Sequence, residues 1–221
     1  MPLEHAPAHL RLAFHDAGTY DARTNTGGVG RIHLRQQLLR GETTGWGHAC
    51  FELLTLAKDR YPDLSWTDLV AVGAAAAVEK CRGPAVEVGL GREDQSEPAP
   101  AHRLPGGAEG GALVKAMFAR MGLSPQELVA LSGAHTLGHV QRRPFTLDPW
   151  VFSNSYYVRL LAQEAGVLRL NSDDGLLSDP ELRGYVELYA RDEPRFFTDF
   201  AAAFRRLTWL GATESASPGD S

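Results

Sequence analysis

In HLRLAFHDAG, Arg11 and His15 stand four residues apart and Phe14 falls three after Arg11, so on a helix the three side chains share one face. A permanent cation, an aromatic wall and a base that titrates near neutrality then surround one point. A histidine so placed can take a proton from one oxygen of a peroxide and return it to the other, while the guanidinium stabilises the negative charge that develops as the O–O bond breaks. Chemistry of that kind requires an oxidisable metal facing the pair. The plainer alternative is that Arg11 pairs with a carboxylate and His15 is an ordinary histidine with its hydrogen bonds met.

A second histidine, His135, lies at the end of an apolar run, ELVALSGAHTLG. An ionised side chain there would be costly, and a neutral imidazole needs a partner for its N–H. It is a candidate buried ligand, or else a core histidine bonded to a backbone carbonyl. Zinc does not suit the position, because no Cys or second His occurs at ligand spacing and Thr136, Leu137 and Gly138 do not complete a site. A haem needs only one protein ligand.

The elements that must hold these residues are helical. Ser124-Pro125-Gln126-Glu127 combines a Ser N-cap, a Pro in the first turn and a Glu at N3, and the His135 run follows it. Ser178-Asp179-Pro180-Glu181 repeats the code before LRGYVELYA, and Asp192-Glu193-Pro194-Arg195 opens FFTDFAAAFRRLTWL. Ser65 starts LVAVGAAAAVEK, apolar nearly all round and therefore expected to be a buried helix. Strand signals are confined to short pieces such as VLRL (167–170), so the fold class is all-α. Two long Gly/Pro-rich stretches, 18–30 and 82–107, are expected to be functional loops.

The 221 residues carry 22 Lys+Arg against 27 Asp+Glu, a formal net charge of −5. The basic residues are scattered, which argues against nucleic acid or an anionic membrane as partner. Apolar content of 43% permits one large core, expected over 1–215 with a disordered tail at 216–221. Cys50 and Cys81 cannot make the disulfide framework of a small secreted domain, and a reducing compartment is expected. No apolar run approaches a membrane span, and the start MPLEHAPAHLR has neither signal- nor transit-peptide composition, so the chain reads as a soluble mature protein.

RLAFHDAGTYD, TNTGG, LGREDQSEP, RLP, ELVALSGAHTLG, VFSNSYY, SDDGLLSDP and FFTDFAAAFRRL, in that order, resemble the intracellular class I haem peroxidases over roughly residues 6–210. The resemblance implies about ten helices around a buried haem b, with Arg11 and His15 as the acid–base pair that meets hydrogen peroxide and His135 as the iron ligand. It further implies that Asp173, in LRLNSDD, accepts the His135 N–H and makes the imidazole more electron-donating. Asp179, close by, is sufficiently explained as a helix-start residue. Phe14, Leu131, Ser132, Gly138, His139 and Phe145 fall at haem-contact positions. Thr136, Thr146, Asp148, Val151 and Ser153 fall where relatives place a cation, and their oxygens would suit potassium; a simple polar turn is the alternative.

Departures from the family pattern bear on the reducing substrate. Phe14 and Phe145 stand where ascorbate and cytochrome c peroxidases carry tryptophans, which leaves Tyr156, Tyr157 and Trp150 as nearby oxidisable side chains. Thr43 takes the place of the Asn that usually supports the distal His. The segment after His135 is shortened where an ascorbate-binding Arg would lie, Arg142 and Arg143 being near it, and the N-terminal Lys position is Leu3. Only ten residues precede Arg11, where the family usually has a further helix. This combination resembles the ascorbate peroxidase-related subgroup of plants and algae. The implied protein reduces peroxide with a small donor other than ascorbate. It would be a monomer or weak dimer inside the cell, in the chloroplast with any transit peptide outside this sequence. A non-catalytic haem-binding relative is the alternative.

Overall fold

The computed structural model describes residues 1–38, 46–104, 110–140 and 142–213. Thr43 and the 216–221 tail lie outside them. After a short 3-10 turn (Leu3–His5) come α1 (Ala6–Ala17), α2 (Arg35–Leu38), α3 (Trp46–Arg60), α4 (Trp66–Lys80), α5 (Gly111–Arg120), α6 (Pro125–Ser132) and a second 3-10 turn (Gly133–Thr136). A small antiparallel pair, β1 (His139–Val140) and β2 (Arg143–Pro144), precedes α7 (Ser155–Ala162), α8 (Asn171–Ser178), α9 (Pro180–Arg191) and α10 (Glu193–Leu207). The all-α expectation holds. The strand reading of VLRL does not: 167–170 is irregular chain, tied to β2 by Leu168 N–H donating to the Pro144 carbonyl at 2.8 Å. A short β-prone run forms a strand only with a partner beside it, and here the partner of β2 is β1.

The start codes work as the sequence suggests. Ser124 Oγ accepts from Glu127 N–H while Glu127 Oε2 accepts from Ser124 N–H, closing a reciprocal cap on α6. Asp179 caps α9, Asp192 caps α10 and Ser65 caps α4. Helix α4 is buried along most of its length and packs chiefly on α1; at Gly73 an added Cβ would stand 3.0 Å from His9 Nδ1, so the two helices meet closely at that glycine. Helix α10 buries Phe196, Phe200, Ala203, Phe204 and Leu207, one stripe at helical spacing, against α6 and α9.

Helices α5 and α8 cross backbone to backbone. A Cβ on Gly111 would stand 2.4 Å from the Gly175 carbonyl oxygen, and one on Gly175 would stand 2.3 Å from Gly111 Cα. No other residue fits either position without moving a helix, and α8 carries Asp173.

None of the described residues of the two long loops lines the cavity that Arg11, His15 and His135 border, and both loops are tied into the core. Buried Asp16 at the end of α1 accepts N–H donors from Gly30 (2.8 Å), Arg31 (3.0 Å) and Ile32 (2.8 Å) and pins the first loop. In the second, Arg92 is fully buried. It pairs with Asp68 at 2.6 Å, donates to the Thr208 and Gly89 carbonyls, and lies 4.1 Å over the Trp209 ring. These loops bolt the two ends of the chain together.

Candidate active site

Arg11, Phe14 and His15 from α1 line a cavity of about 400 Å³ together with Leu131, Ser132, His135, Gly138, His139, Phe145 and Asp173. Every residue expected to touch the cofactor therefore borders the same space. The side-chain trio shares one helix face as its spacing requires. Between the polar groups the wall is apolar: Phe14 stacks on Phe118 (5.9 Å between centroids), and Val114, Leu170, Phe204 and Leu207 complete it.

His15 is 5% exposed. Burial, and after it the positive charge of Arg11, hold its imidazole down to about 3, so it is neutral across the physiological range and able to accept a proton. The support expected from Thr43 lies outside the described residues.

His135 sits in the 3-10 turn that continues α6. Its side chain is 34% exposed because the ring faces the cavity. Nδ1 lies 2.9 Å from Asp173 Oδ1, which leaves Nε2 as the nitrogen available to a ligand. Phe145 stacks flat on the ring, with centroids 4.5 Å apart and planes at 7°. Asp173 is in the first turn of α8, where a carboxylate is favoured by the helix N-terminus. Its burial acts to raise the carboxyl, but His135, the Leu170 amide and the Tyr156 hydroxyl outweigh it and hold the group below the usual carboxylate range.

Sequence reasoning did not assign Tyr156 its place: its hydroxyl donates to Asp173 Oδ1 at 2.7 Å. Nor did it assign Phe118, Phe204 and Ser172 to the cavity. Periodicity marks the two phenylalanines as apolar-face residues, but nothing in the sequence says that their face borders a cavity. Tyr157 donates to the Val129 carbonyl inside the core, and Trp150 borders the cavity edge-on to the exposed His139, with centroids 6.1 Å apart.

The residues considered for a cation are partly gathered. Thr146 Oγ1 donates to the Thr136 carbonyl at 3.0 Å, Thr136 Oγ1 lies 3.4 Å from the Val151 carbonyl and from Ser155 Oγ, and Ser153 Oγ donates to Ser155 Oγ. Asp148 is exposed. Among the described residues no group of three or more His, Cys, Asp or Glu side chains is placed to hold a metal ion, and no helix is long and apolar enough to cross a membrane.

An all-helical frame with a histidine–aspartate pair and an arginine–histidine pair on one apolar-walled cavity defines a class of oxidoreductase. The chain belongs to the peroxidase family: residues 3–192 match the family model described as Peroxidase. It is 44% identical over 220 residues to a probable L-ascorbate peroxidase 4, peroxisomal, of Oryza sativa subsp. japonica, covering 96% of this chain and 75% of the relative. It is 42% identical over 222 residues to L-ascorbate peroxidase 3 of Arabidopsis thaliana (97% and 77%), and 42% over 219 residues to the cytosolic L-ascorbate peroxidase 1 of the same rice (95% and 87%). It is thus a peroxide-dependent oxidoreductase related to the ascorbate peroxidases. The expected chloroplast location is overturned, since the two rice relatives, like others at about 42% identity, are named peroxisomal or cytosolic.

Proposed function

We propose that this chain is a b-type haem peroxidase that reduces hydrogen peroxide to water, taking one electron from each of two small donor molecules. The carrying observation is that His135, with Nδ1 engaged by Asp173, borders the same cavity as neutral His15 and Arg11. The cavity fits the group: its walls are apolar enough for a porphyrin face, and its one imidazole already tied to a carboxylate has a second nitrogen to give to iron. Bound haem would supply the redox centre that accepts oxidising equivalents from peroxide and passes them on singly. His15 takes the proton from the first peroxide oxygen and delivers it to the departing one, and Arg11 offsets the charge on that oxygen. Over the cycle, one peroxide and two donors, each giving one electron and one proton, become two waters and two donor radicals.

Ascorbate is expected to be a poor donor. Neither Arg142 nor Arg143 lines the cavity and Leu3 offers no charge; the exposed residues that line it are Glu4, Arg11 and His139, and Arg11 is the one already assigned to peroxide. An anion held by charge-assisted hydrogen bonds in relatives would lose a contact worth about 1.5–3 kcal/mol, roughly ten- to a hundredfold in binding. The names of the relatives favour the opposite reading, that ascorbate is the donor. kcat/KM for ascorbate and for guaiacol, measured at one pH and one peroxide concentration, decides: guaiacol is expected to exceed ascorbate, and the reverse order rejects the donor assignment. Thr136, Thr146, Asp148, Val151 and Ser153 are proposed as ligands of a potassium ion. The protein is proposed to act as a monomer or weak dimer, with residues 1–215 as one domain.

A further inference from the structure

Asp173 has more donors than its imidazole partner requires. Oδ1 accepts from both His135 Nδ1 (2.9 Å) and the Tyr156 hydroxyl (2.7 Å), while Oδ2 accepts from the Leu170 amide at 2.8 Å. Phe145, stacked on His135, has no polar atom with which to approach the carboxylate. Tyr156 is 4% exposed, and its ring stands edge-on to His135 at 86°, with centroids 5.7 Å apart. The imidazole is therefore held by three neighbours: Phe145 sets its plane, Asp173 its rotation about that plane, and Tyr156 the position of the carboxylate oxygen.

We propose that Tyr156 is a positioning residue for the reaction, whose hydroxyl sets how strongly Asp173 draws the His135 N–H proton. Two donors on one oxygen compete for its electron density, so the phenol O–H weakens the pull of Asp173 on the imidazole. A weaker pull leaves the imidazole less anionic and any iron on Nε2 less electron-rich. Tyr156 thus acts as a counterweight to Asp173. The inference rests on the reading of His135 as the haem ligand.

The test uses haem-loaded full-length protein and the ferric/ferrous midpoint potential rather than turnover. Tyr156→Phe keeps the ring and removes the donor. Its midpoint is expected to move to more negative potential by an amount equivalent to a roughly tenfold shift of the ferric-to-ferrous ratio, the scale of one charge-assisted hydrogen bond. Incorporating 3-fluorotyrosine at position 156 makes the phenol a stronger donor, and the midpoint is expected to move the other way; this arm decides if the Phe variant fails to fold. An unchanged midpoint in the folded variants, or shifts of the same sign, overturns the proposal while leaving His135 as ligand. A haem band that survives unaltered in His135→Ala overturns the ligand reading and this proposal with it.

Discussion

Asp173 Oδ1 lies 2.9 Å from His135 Nδ1, joining the first turn of α8 to the turn that ends α6 across 38 residues of chain. That bond selects Nε2 as the ligating nitrogen and fixes the ring toward the cavity. Removing the imidazole should therefore remove the ligand without disturbing the helices around it.

His135→Ala is expected to lose the Soret band of five-coordinate ferric haem on titration with hemin. Asp173→Asn is expected to retain haem with an altered band, because the carboxamide can turn an oxygen to the N–H but carries no charge. A His135→Ala protein with a band of unchanged intensity would reject the assignment.

The glycine pair that seats α8 gives a purely steric prediction. Gly175→Ala places a methyl group 2.3 Å from Gly111 Cα, so one helix must shift. Overpacking of this sort typically costs about 1–3 kcal/mol. Chemical denaturation is expected to show that loss, with haem affinity lowered because Asp173 rides on the displaced helix. Full stability in this variant would mean that α5 and α8 do not cross at these glycines.

Arg92 and Asp68 form a buried pair with 0% and 4% side-chain exposure. Asp68→Ala strands the guanidinium beneath Trp209, and breaking such a pair by removing one partner costs about 3–5 kcal/mol. A large drop in the unfolding midpoint is expected. A loss of only a few tenths of a kcal/mol would contradict the burial of the pair.

Two buried histidines give the protein an acid-side weakness. His15 is held down to about 3, and His9 to about 4, by burial first and then by the positive charges of His5 and the N-terminus. Both bind a proton in the unfolded chain near 6.5 and not in the folded one, so their contribution is complete above about 6.5 and is lost as pH falls toward the folded values. Asp16, pushed up to about 6 by burial against the pull of three amide donors, works the other way: its contribution is present below about 4 and lost as pH rises through 6. With two groups against one, unfolding midpoints are expected to fall between pH 6.5 and 4. His9 is 4% exposed, and neither ring nitrogen has a hydrogen-bond partner among the described residues. His9→Leu should therefore flatten the pH profile and stabilise the protein by about 1–3 kcal/mol. A destabilised variant with an unchanged profile would show that His9 is not the strained group.

What could be read from the sequence follows the range of the interactions concerned. Ser124 and Glu127 cap each other within one turn, and Arg11, Phe14 and His15 share a face by spacing alone, so both are legible locally. The His135–Asp173 partnership came only from family resemblance, because nothing local ties residues so far apart. Tyr156 on Asp173 and the Gly111–Gly175 crossing were not foreseen: each depends on how two helices are placed, which no single segment encodes. The seating of the loop at 18–30 was hidden for a related reason: Gly28, at φ 87°, lies against the Leu210 carbonyl, an approach between residues far apart in the chain.

The most direct measurement is the rate at which haem-loaded protein reacts with hydrogen peroxide in a stopped-flow instrument, compared between the parent, His15→Ala and Arg11→Ala. Loss of a positioned acid–base group typically slows such a step by about 10²–10⁴-fold. A fall of that order is expected for His15→Ala, with Arg11→Ala also impaired. Rates in both variants equal to the parent's would contradict the reading of Arg11 and His15 as the groups that act on peroxide.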